Sequence, residues 1–465
     1  MSDTETTTTR ASDAPHPLRW TALGLLGLAQ LMLILDITVV ALALPDMGAE
    51  LDLSRAALTW VVSGYALTFG SLMLLGGRAA DLFGPKRVVL VGLAVFTAAS
   101  LAAGLATGAS LLLAARIAQG VGAALLSPAA LSVVVRLFEG DERNRALGVW
   151  SALGGGGAAL GVLLGGLITA GPGWAWVFFV NVPVGLIVLV SLARILPRLP
   201  RAATGSLDIP GALLVAAATG ALIYALIRAG DRGWLNIVTV ALVAASAAAY
   251  AAFAIWQRRA AAPLMDLRLL GRRPVVAGTF VIAITTALMV GAFFLGSFYL
   301  QNRQGHGALM TGVLFLPVAL LTMAAAATAG RVIGRLGARL LAVVALAVAA
   351  AGFLVPVLWS GTTAMVTGVS VAAAGLGALF VVASATALAS VAPHEAGVTS
   401  GIVSTFHEFG ASAGAAVVSS AAATSIAAHT GAQTASGFDD AFLVATGMAA
   451  VSAVIVLWLI PAKQQ

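Results

Sequence analysis

The stretch GRAADLFGPKR at residues 77–87 decides the architecture, because a related stretch returns later in the chain. Residues 330–340, GRVIGRLGARL, repeat its glycines Gly77 and Gly84 as Gly330 and Gly337, 253 residues further on, with Gly334 in place of Asp81. Each copy follows a long apolar segment directly. Copies at equivalent points of two apolar runs predict a chain built from two related helical halves, an arrangement that is common in transporters.

The apolar character of the chain extends far beyond these two loops. Of the 465 residues, 60% are hydrophobic and only 9% are charged, whereas a soluble domain carries about a quarter charged residues. The apolar residues form blocks of about 20, the length of helix that crosses a bilayer, and they lack the alternation of barrel strands. We therefore predict an all-α membrane protein. The fourteen predicted spans are residues 20–44, 56–78, 88–107, 109–136, 144–170, 174–196, 209–228, 234–256, 274–300, 308–330, 340–360, 362–391, 397–428 and 439–460.

The basic residues are distributed unevenly between the two sides of these spans. With the N-terminus placed in the cytoplasm, 20 of the 25 Lys and Arg residues lie on the cytoplasmic side, four lie outside and one, Arg116, lies within a span. This asymmetry follows the positive-inside rule. It predicts a multi-pass plasma-membrane protein with both termini in the cytoplasm, and it accounts for the net charge of +7 without nucleic-acid binding.

The spans divide the chain into two six-helix bundles and a connecting segment. The bundles are predicted at residues 20–196 and 273–460, and residues 197–272 form a linker with two additional transmembrane helices. Residues 1–19 are predicted to be a disordered cytoplasmic tail, because they are Thr-rich and lack the features of a cleavable signal peptide. Residues 461–465 are predicted to form a second short cytoplasmic tail. The absence of Cys excludes disulfides and thiolate chemistry.

Glycine patterns inside the helices support the duplication. Three glycines of span 5 return 253 residues later in span 13, namely Gly148, Gly157 and Gly161 as Gly401, Gly410 and Gly414. Two glycines of span 4 return in span 12 at an offset of 255, namely Gly120 and Gly122 as Gly375 and Gly377. The chain has 52 glycines, so the near-agreement of the offsets carries more weight than any single match.

Several of these stretches are similar to the motifs of one transporter family. Residues 77–87 resemble the loop motif between helices 2 and 3 of the major facilitator superfamily, and residues 35–45, LDITVVALALP, resemble the helix 1 motif of its fourteen-helix branch of drug:proton antiporters. The sequence RIAQGVG at residues 116–122 resembles the helix 4 motif, with Gln119, Gly120 and Gly122. The antiporter motif of helix 5 is matched by Gly148, Gly157, Gly161, Gly165 and Gly166.

The resemblance extends from Trp20 to Pro461 and implies two six-helix bundles plus two inserted helices. It also implies a proton-coupled efflux transporter that exports hydrophobic drugs or an antibiotic by alternating access. The proton gradient would supply the energy, so no cofactor and no enzymatic activity are expected. The expected partners are a hydrophobic small molecule, protons and the lipid bilayer, with the monomer as the functional unit.

Few ionisable side chains lie deep within the predicted spans. They are Asp36 in span 1, Arg116 in span 4, and Glu408 with its neighbour His407 in span 13. An ionisable group near the bilayer centre is costly and indicates function by default. The five His residues are scattered, so neither a metal site nor a nucleophilic triad is predicted.

The buried charges are not duplicated although the scaffold is. At the observed offsets Asp36 corresponds to Met289, Arg116 to Val371 and Glu408 to Gly155. We therefore interpret these charges as functional additions. Our hypothesis is that Asp36, Glu408 or both carry the proton, that Arg116 tunes the carboxyl, and that His407 contributes to substrate or proton handling. The structural alternative is that each group only pairs or hydrogen-bonds within the bundle.

Two further features are predicted to control closure. The loop residues Gly77, Asp81, Gly84, Lys86 and Arg87 are assigned to gating at the cytoplasmic face, where charge pairs can form in one state and separate in another. The alternative is a basic loop that only sets the topology. The span 5 glycines are predicted to allow a close contact with span 10 that limits proton leakage, and simple packing is the alternative.

Two other classes of function remain as alternatives. A proton-coupled uptake transporter of a small metabolite would run in the opposite direction, and the span 5 glycine pattern argues against it. A non-transporting membrane sensor or enzyme would need a soluble signalling domain or a catalytic cluster, and neither is apparent. The identity of the substrate does not follow from the sequence.

Overall fold

The computed structural model describes residues 17–461 except 54, 171–172, 198, 200–207, 262, 390, 393–394 and 427–432. All the regular secondary structure of these residues is helical. The first eight α-helices are α1 (Arg19–Glu50), α2 (Arg55–Phe83), α3 (Pro85–Gly104), α4 (Ala109–Leu137), α5 (Gly140–Ala170), α6 (Trp176–Phe179), α7 (Asn181–Ile195) and α8 (Ile209–Arg232). The others are α9 (Ile237–Gln257), α10 (Arg273–Phe298), α11 (Ala308–Leu314), α12 (Leu316–Leu336), α13 (Ala338–Leu358), α14 (Thr362–Leu388), α15 (Ala396–Ile426) and α16 (Gln433–Leu459).

Most of these helices have the length and composition of membrane spans. Within the described residues, 12 segments are long and apolar enough to cross a bilayer. Predicted spans 6 and 10 each consist of two consecutive helices, α6 with α7 and α11 with α12. The glycine-rich helices α5 and α15 are not among the 12, so the count of fourteen stays a prediction. Exposed side chains such as Leu235 and Ile237, at 93% and 78%, form the kind of apolar surface that a bilayer covers.

The two predicted loop motifs adopt the same backbone conformation. Gly84 precedes α3 with φ of 89° and ψ of 132°, and Gly337 precedes α13 with φ of 80° and ψ of 149°. Positive φ values of this size favour glycine, which lacks a Cβ. The 253-residue repeat is therefore present in the structure at the point from which it was predicted.

Close contacts between neighbouring helices correct the register of the repeat in span 4. A Cβ on Gly122 would lie 2.8 Å from the carbonyl oxygen of Gly92 on α3. In the second half a Cβ on Gly375 would collide with the carbonyl oxygen of Ala345 on α13. Both residues of the second contact follow their counterparts by 253 positions. The predicted offset of 255, which paired Gly122 with Gly377, is therefore wrong, because glycine is required where the helix backbones meet.

Two ion pairs obey the same register. The Arg19 guanidinium at the start of α1 lies 2.8 Å from the carboxylate of Glu142 at the start of α5. The Arg272 guanidinium, which precedes α10, lies 2.7 Å from the carboxylate of Glu395, which precedes α15. Each residue of the second pair follows its counterpart by 253 positions. The first and fifth helices of each half are thus tied together at equivalent points.

The two halves meet along two related helix pairs, α2 with α15 and α12 with α5. A Cβ on Gly77 of α2 would collide with the Gly397 carbonyl oxygen at the start of α15. At the other junction a Cβ on Gly330 of α12 would lie 2.6 Å from the Asn144 carbonyl oxygen on α5. We call the end of the bundle that contains these contacts the basic end, because Lys86, Arg87, Arg136 and Arg143 lie there.

Helices α8 and α9 lie between the two repeated sets in the sequence, and α8 packs on α2 and α15. At the basic end, Asp208 precedes α8 and accepts hydrogen bonds from the Gly211 amide at 3.0 Å, the Trp256 indole at 2.9 Å and the Gln257 side-chain amide at 2.6 Å. Burial acts to raise the pKa of Asp208, but these hydrogen bonds together hold the pKa below its ordinary value. This carboxylate joins the start of α8 to the end of α9.

Candidate functional site

The structure brings two of the predicted site residues together as a buried ion pair. Asp36 of α1 is 2% exposed and Arg116 of α4 is 1% exposed. The Arg116 Nη1 donates directly to Asp36 Oδ2. A buried charge is strongly unfavourable unless it is paired and hydrogen-bonded. This ion pair explains how both charges are accommodated inside the first half.

Neutral polar side chains complete the coordination of the Asp36 carboxylate. Gln119 Nε2 donates to Asp36 Oδ1 at 3.1 Å, and Asn181 Nδ2 of α7 donates to the same oxygen at 3.2 Å. Gln119 Oε1 accepts from Arg116 Nη1 at 2.8 Å. Gln119 also donates to the Ser100 hydroxyl of α3 at 2.8 Å. Side chains of α1, α3, α4 and α7 therefore form one connected network around a single carboxylate.

An aromatic ring covers the cation of this network. The Arg116 Cζ lies 4.4 Å from the ring centroid of Tyr65 on α2, a distance at which cation–π attraction is effective. Arg116 Nε also donates to the Val61 carbonyl oxygen at 2.9 Å. The guanidinium is thereby held between a carboxylate, a carbonyl and a ring. Sequence reasoning missed Tyr65, Asn181 and Ser100, because an uncharged polar residue in an apolar span carries little signal by itself.

The corresponding region of the second half is apolar. With the corrected register, Asp36 corresponds to Met289, Arg116 to Val369 and Gln119 to Ala372. These three residues are buried in the hydrophobic core of the second half, at 5%, 1% and 0% exposure. The earlier assignment of Arg116 to Val371 shared the two-residue register error. The conclusion that the buried charges are not duplicated is unaffected.

Glu408 lies on α15 and is 7% exposed. Its Oε1 is 3.1 Å from Nδ1 of the neighbouring His407, whose side chain is 39% exposed. The His407 ring also lies 6.0 Å from the Phe380 ring, measured between centroids. The hydrogen bonds of Asp36 come from other residues, so Glu408 and His407 form a separate pair, which lies beside α2 and α8.

Asp81, which was predicted to belong to a gating loop, joins the two halves at the basic end. Its side chain is fully buried, and its carboxylate accepts from the Gly397 amide at 3.0 Å and the Val398 amide at 2.9 Å, in the first turn of α15. Arg136 Nη2 at the end of α4 donates to Asp81 Oδ1 at 2.8 Å. A carboxylate at a helix N-terminus satisfies unpaired amides and interacts favourably with the helix dipole. We call Asp81, Arg136 and the first turn of α15 the latch.

The other residues of the predicted gating loop have different surroundings. Gly77 provides the close approach of α2 to α15, and Gly84 begins α3. Lys86 Nζ donates to the Ala193 carbonyl oxygen at 2.8 Å near the end of α7, so Lys86 connects two helices of the first half. Arg87 is exposed. Among the acidic and basic residues of this loop, Asp81 is the one that the structure places across the two halves.

The predicted glycine contact between spans 5 and 10 is located at Gly148. A Cβ on Gly148 would lie 3.0 Å from the Ala326 carbonyl oxygen and 3.1 Å from the Gly330 Cα on α12. Gly161 is buried, whereas the surroundings of Gly157, Gly165 and Gly166 lie outside the described residues. In α4, a Cβ on Gly120 would lie 2.8 Å from the Tyr65 carbonyl oxygen on α2. Gly120 and Gly122 therefore allow α4 to pack closely against two neighbours.

The apolar helices, the repeated halves and the buried Asp36–Arg116 ion pair fit a multi-pass membrane transporter. Residues 26–415 match the family model of the Major Facilitator Superfamily, and the chain belongs to that family. The puromycin resistance protein pur8 of Streptomyces alboniger is 38% identical over 429 residues, covering 90% of this chain and 85% of that protein. The cephamycin export protein CmcT of Amycolatopsis lactamdurans is 35% identical over 442 residues, covering 93% and 91%.

Solved structures support the fold. The human organic anion transporter MFSD10 superposes with a TM-score of 0.69 at 16% identity, covering 96% of this chain and 100% of that chain. The proton:xylose symporter XylE superposes with a TM-score of 0.66 at 12% identity, covering 95% and 96%. At this level of identity the likeness concerns the fold alone.

Proposed function

We propose that this transporter exports an antibiotic or another hydrophobic drug in exchange for protons. The observation that carries the proposal is the buried pair of Asp36 and Arg116, which the second half replaces with apolar residues. An ionisable group within a membrane destabilises the protein, so charges that are buried in one half and absent from the other indicate a role in the transport cycle. The direction of transport is supported by the relatives, whose names describe antibiotic resistance and export.

In this proposal, protonation and deprotonation of Asp36 change the conformation of the first half. Protonation of Asp36 removes its negative charge and leaves Arg116 with the Val61 carbonyl and Gln119 as its partners. Because Asp36 lies on α1 and Arg116 on α4, weakening their attraction changes the relative stability of the two arrangements of the first half. Proton and substrate then favour opposite conformations, which is the requirement for exchange. Glu408 with His407 is the proposed second site for protons or substrate.

The remaining architecture fits this proposal. We infer fourteen membrane spans, with bundles at residues 20–196 and 273–460 and the pair α8–α9 within residues 197–272. The basic end faces the cytoplasm of a plasma-membrane protein, because it carries the excess of Lys and Arg. The latch then holds the cytoplasmic side closed, and the monomer contains one complete transport path.

Reconstitution into liposomes tests the proposal. A pH gradient is imposed, and the uptake of puromycin, a cephamycin and lincomycin into inverted vesicles is measured together with proton release from the lumen. We expect at least one compound to accumulate with matching proton release. Asp36→Asn should abolish gradient-driven accumulation, and Glu408→Gln should do so if the second site also carries protons.

The control is Glu142→Gln, which removes a partly exposed carboxylate from the ion pair with Arg19. This variant should keep gradient-driven accumulation, since exposed pairs contribute little. Wild-type accumulation in both Asp36→Asn and Glu408→Gln would reject proton coupling through these residues. Accumulation that ignores the pH gradient in the native protein would reject proton-driven export itself.

A further inference from the structure

Helix α8 packs closely against α2 beside Glu408 of α15. Gly70 of α2 faces both α8 and α15, and a Cβ built on it would collide with Ile223 Cδ1 and lie 3.3 Å from the Glu408 Cβ. Ile223 is 1% exposed and Glu408 is 7% exposed. Three helices therefore converge at this point with no room for a side chain on residue 70. The aliphatic side chain of Ile223 closes the contact beside the acid.

The sequence positions that correspond to this contact in the other half carry different residue types. Gly70 corresponds to Met323 on α12, and Glu408 corresponds to Gly155 on α5. In the described part of the chain, α8 packs extensively on α2, α9 and α15. The junction covered by α8 thus contains a carboxylate, whereas the corresponding positions of the α5–α12 junction contain a methionine and a glycine.

An acid at the outer edge of a helix junction is costly when hydrocarbon reaches it. Lipid chains that contact a carboxyl disfavour its charged form, because they replace water with an apolar medium. A helix laid over the junction removes this exposure. The α9 helix packs on α8 in turn and presents exposed apolar residues such as Ile237 and Val243, so the pair provides a new lipid-facing surface outside Glu408.

We propose that α8 seals the Glu408 carboxyl from the bilayer, and that Ile223 packed against Gly70 is the residue that completes the seal. The pair α8–α9 then has a specific role in this chain. It allows an ionisable group to be placed in the junction between α2 and α15, where an uncovered transporter of this fold would have lipid. The seal concerns access to the carboxyl and is separate from the direction or substrate of transport.

Chemical labelling measures this access without any transport assay. N,N′-dicyclohexylcarbodiimide is an apolar reagent that partitions into lipid and forms a stable adduct with protonated carboxyl groups. The purified full-length chain in liposomes is treated with the reagent, and the peptide containing Glu408 is quantified by mass spectrometry. Glu408→Gln defines the background, and circular dichroism with size-exclusion chromatography confirms folding of each variant.

We expect little labelling of Glu408 in the native chain and a several-fold increase in Ile223→Ala. Adding Gly70→Ala to that variant places a methyl group where Ile223 Cδ1 was lost, so labelling should return towards the native level. Leu213→Ala is the matched control. Leu213 lies on the same helix at 67% exposure, and its replacement by alanine removes a similar apolar volume. That control should leave the labelling unchanged.

The proposal is overturned by strong labelling of the native chain, or by equal labelling of Ile223→Ala and Leu213→Ala. Failure of the double variant to reverse the increase would also count against it, because general loosening of the bundle would not be repaired by a methyl group at residue 70. If Ile223→Ala does not fold, Ile223→Val removes a single methyl group and should give a smaller increase. Loss of drug export with intact sealing would reject the proposed function alone.

Discussion

Replacing Asp81 with asparagine should open the basic end of the bundle. The fully buried carboxylate accepts from the Gly397 and Val398 amides at 3.0 and 2.9 Å and from Arg136 at 2.8 Å. Asn keeps one oxygen for a backbone amide, but it removes the charge and leaves the guanidinium without its carboxylate. The perturbation therefore acts on the contact between the two halves more than on the core of either half.

The expected magnitude follows from the bonds that are lost. Hydrogen bonds to charged groups contribute about 1.5–3 kcal/mol each, and breaking a buried ion pair by removing one partner costs about 3–5 kcal/mol. Because Asn retains one acceptor, we expect the closed arrangement to lose about 2–3 kcal/mol. That loss changes the ratio of closed to open molecules by roughly 30- to 150-fold.

Distance measurements between spin labels detect such a shift directly. The native chain has no Cys, so Phe83→Cys and Leu336→Cys provide a unique labelled pair without removing native thiols. These residues end α2 and α12, are 49% and 50% exposed, and are equivalent in the two halves. Double electron–electron resonance in lipid nanodiscs measures the distance between the two spin labels. In Asp81→Asn, a population with a longer distance should appear or grow.

The matched control is Asp141→Asn, at the corresponding α5–α12 junction. Asp141 is exposed and faces Gly334, the residue that replaces Asp81 in the second half. Its neutralisation should leave the distance distribution unchanged. An unaltered distribution in folded Asp81→Asn, or equal changes in both variants, would refute the latch. Normal drug export by Asp81→Asn at normal expression would refute its role in the transport cycle.

Two further predictions concern close packing and pH. Gly330→Ala places a Cβ 2.6 Å from the Asn144 backbone oxygen, so α5 and α12 must separate. We expect this variant to lose on the order of 1–3 kcal/mol of stability, measured by thermal unfolding. Gly447→Ala is the control and should be neutral, because the added Cβ meets nothing within 4 Å. Because the pKa of Asp208 is lowered in the folded chain, its carboxylate stabilises the fold above an unfolded pKa of about 3.9. This contribution is lost as the pH falls through the folded pKa, so the melting temperatures of the native chain and Asp208→Asn should converge below that range and differ at neutral pH.

The apolar scaffold was predictable because its sequence patterns, the apolar blocks and the glycine motifs, are long and occur in both halves. The helices follow from blocks of apolar residues, and the relation between the loops at Gly84 and Gly337 follows from a conformation that requires glycine. The equivalent ion pairs Arg19–Glu142 and Arg272–Glu395 were also accessible, since a shift of 253 aligns both partners. No local pattern distinguishes these four residues from the other charged residues near the ends of the helices.

The register error and the missed polar residues have physical explanations. Gly120-Val-Gly122 and Gly375-Leu-Gly377 match at an offset of 255, but the helix crossing that they serve requires glycine at Gly122 and Gly375. Spacing within a single helix does not reveal which residue meets a neighbouring backbone. Likewise Asn181 reaches Asp36 from a helix 145 residues away in the sequence, so its role depends on a contact that no local pattern encodes.

The two halves share their packing contacts at the junctions, but only the first half contains the Asp36–Arg116 ion pair. Alternating access requires matched contacts at both junctions, and these are present at Gly77 with Gly397 and at Gly330 with Asn144. Coupling requires a group whose charge changes during the cycle, and a second copy would add the cost of another buried ion, about 2.5–3.5 kcal/mol on insertion scales. Replacement of Asp36 by Met289 in the second half avoids that cost while preserving the packing. The proposed proton exchange at Asp36 is therefore compatible with a scaffold that repeats its junction contacts but not this ion pair.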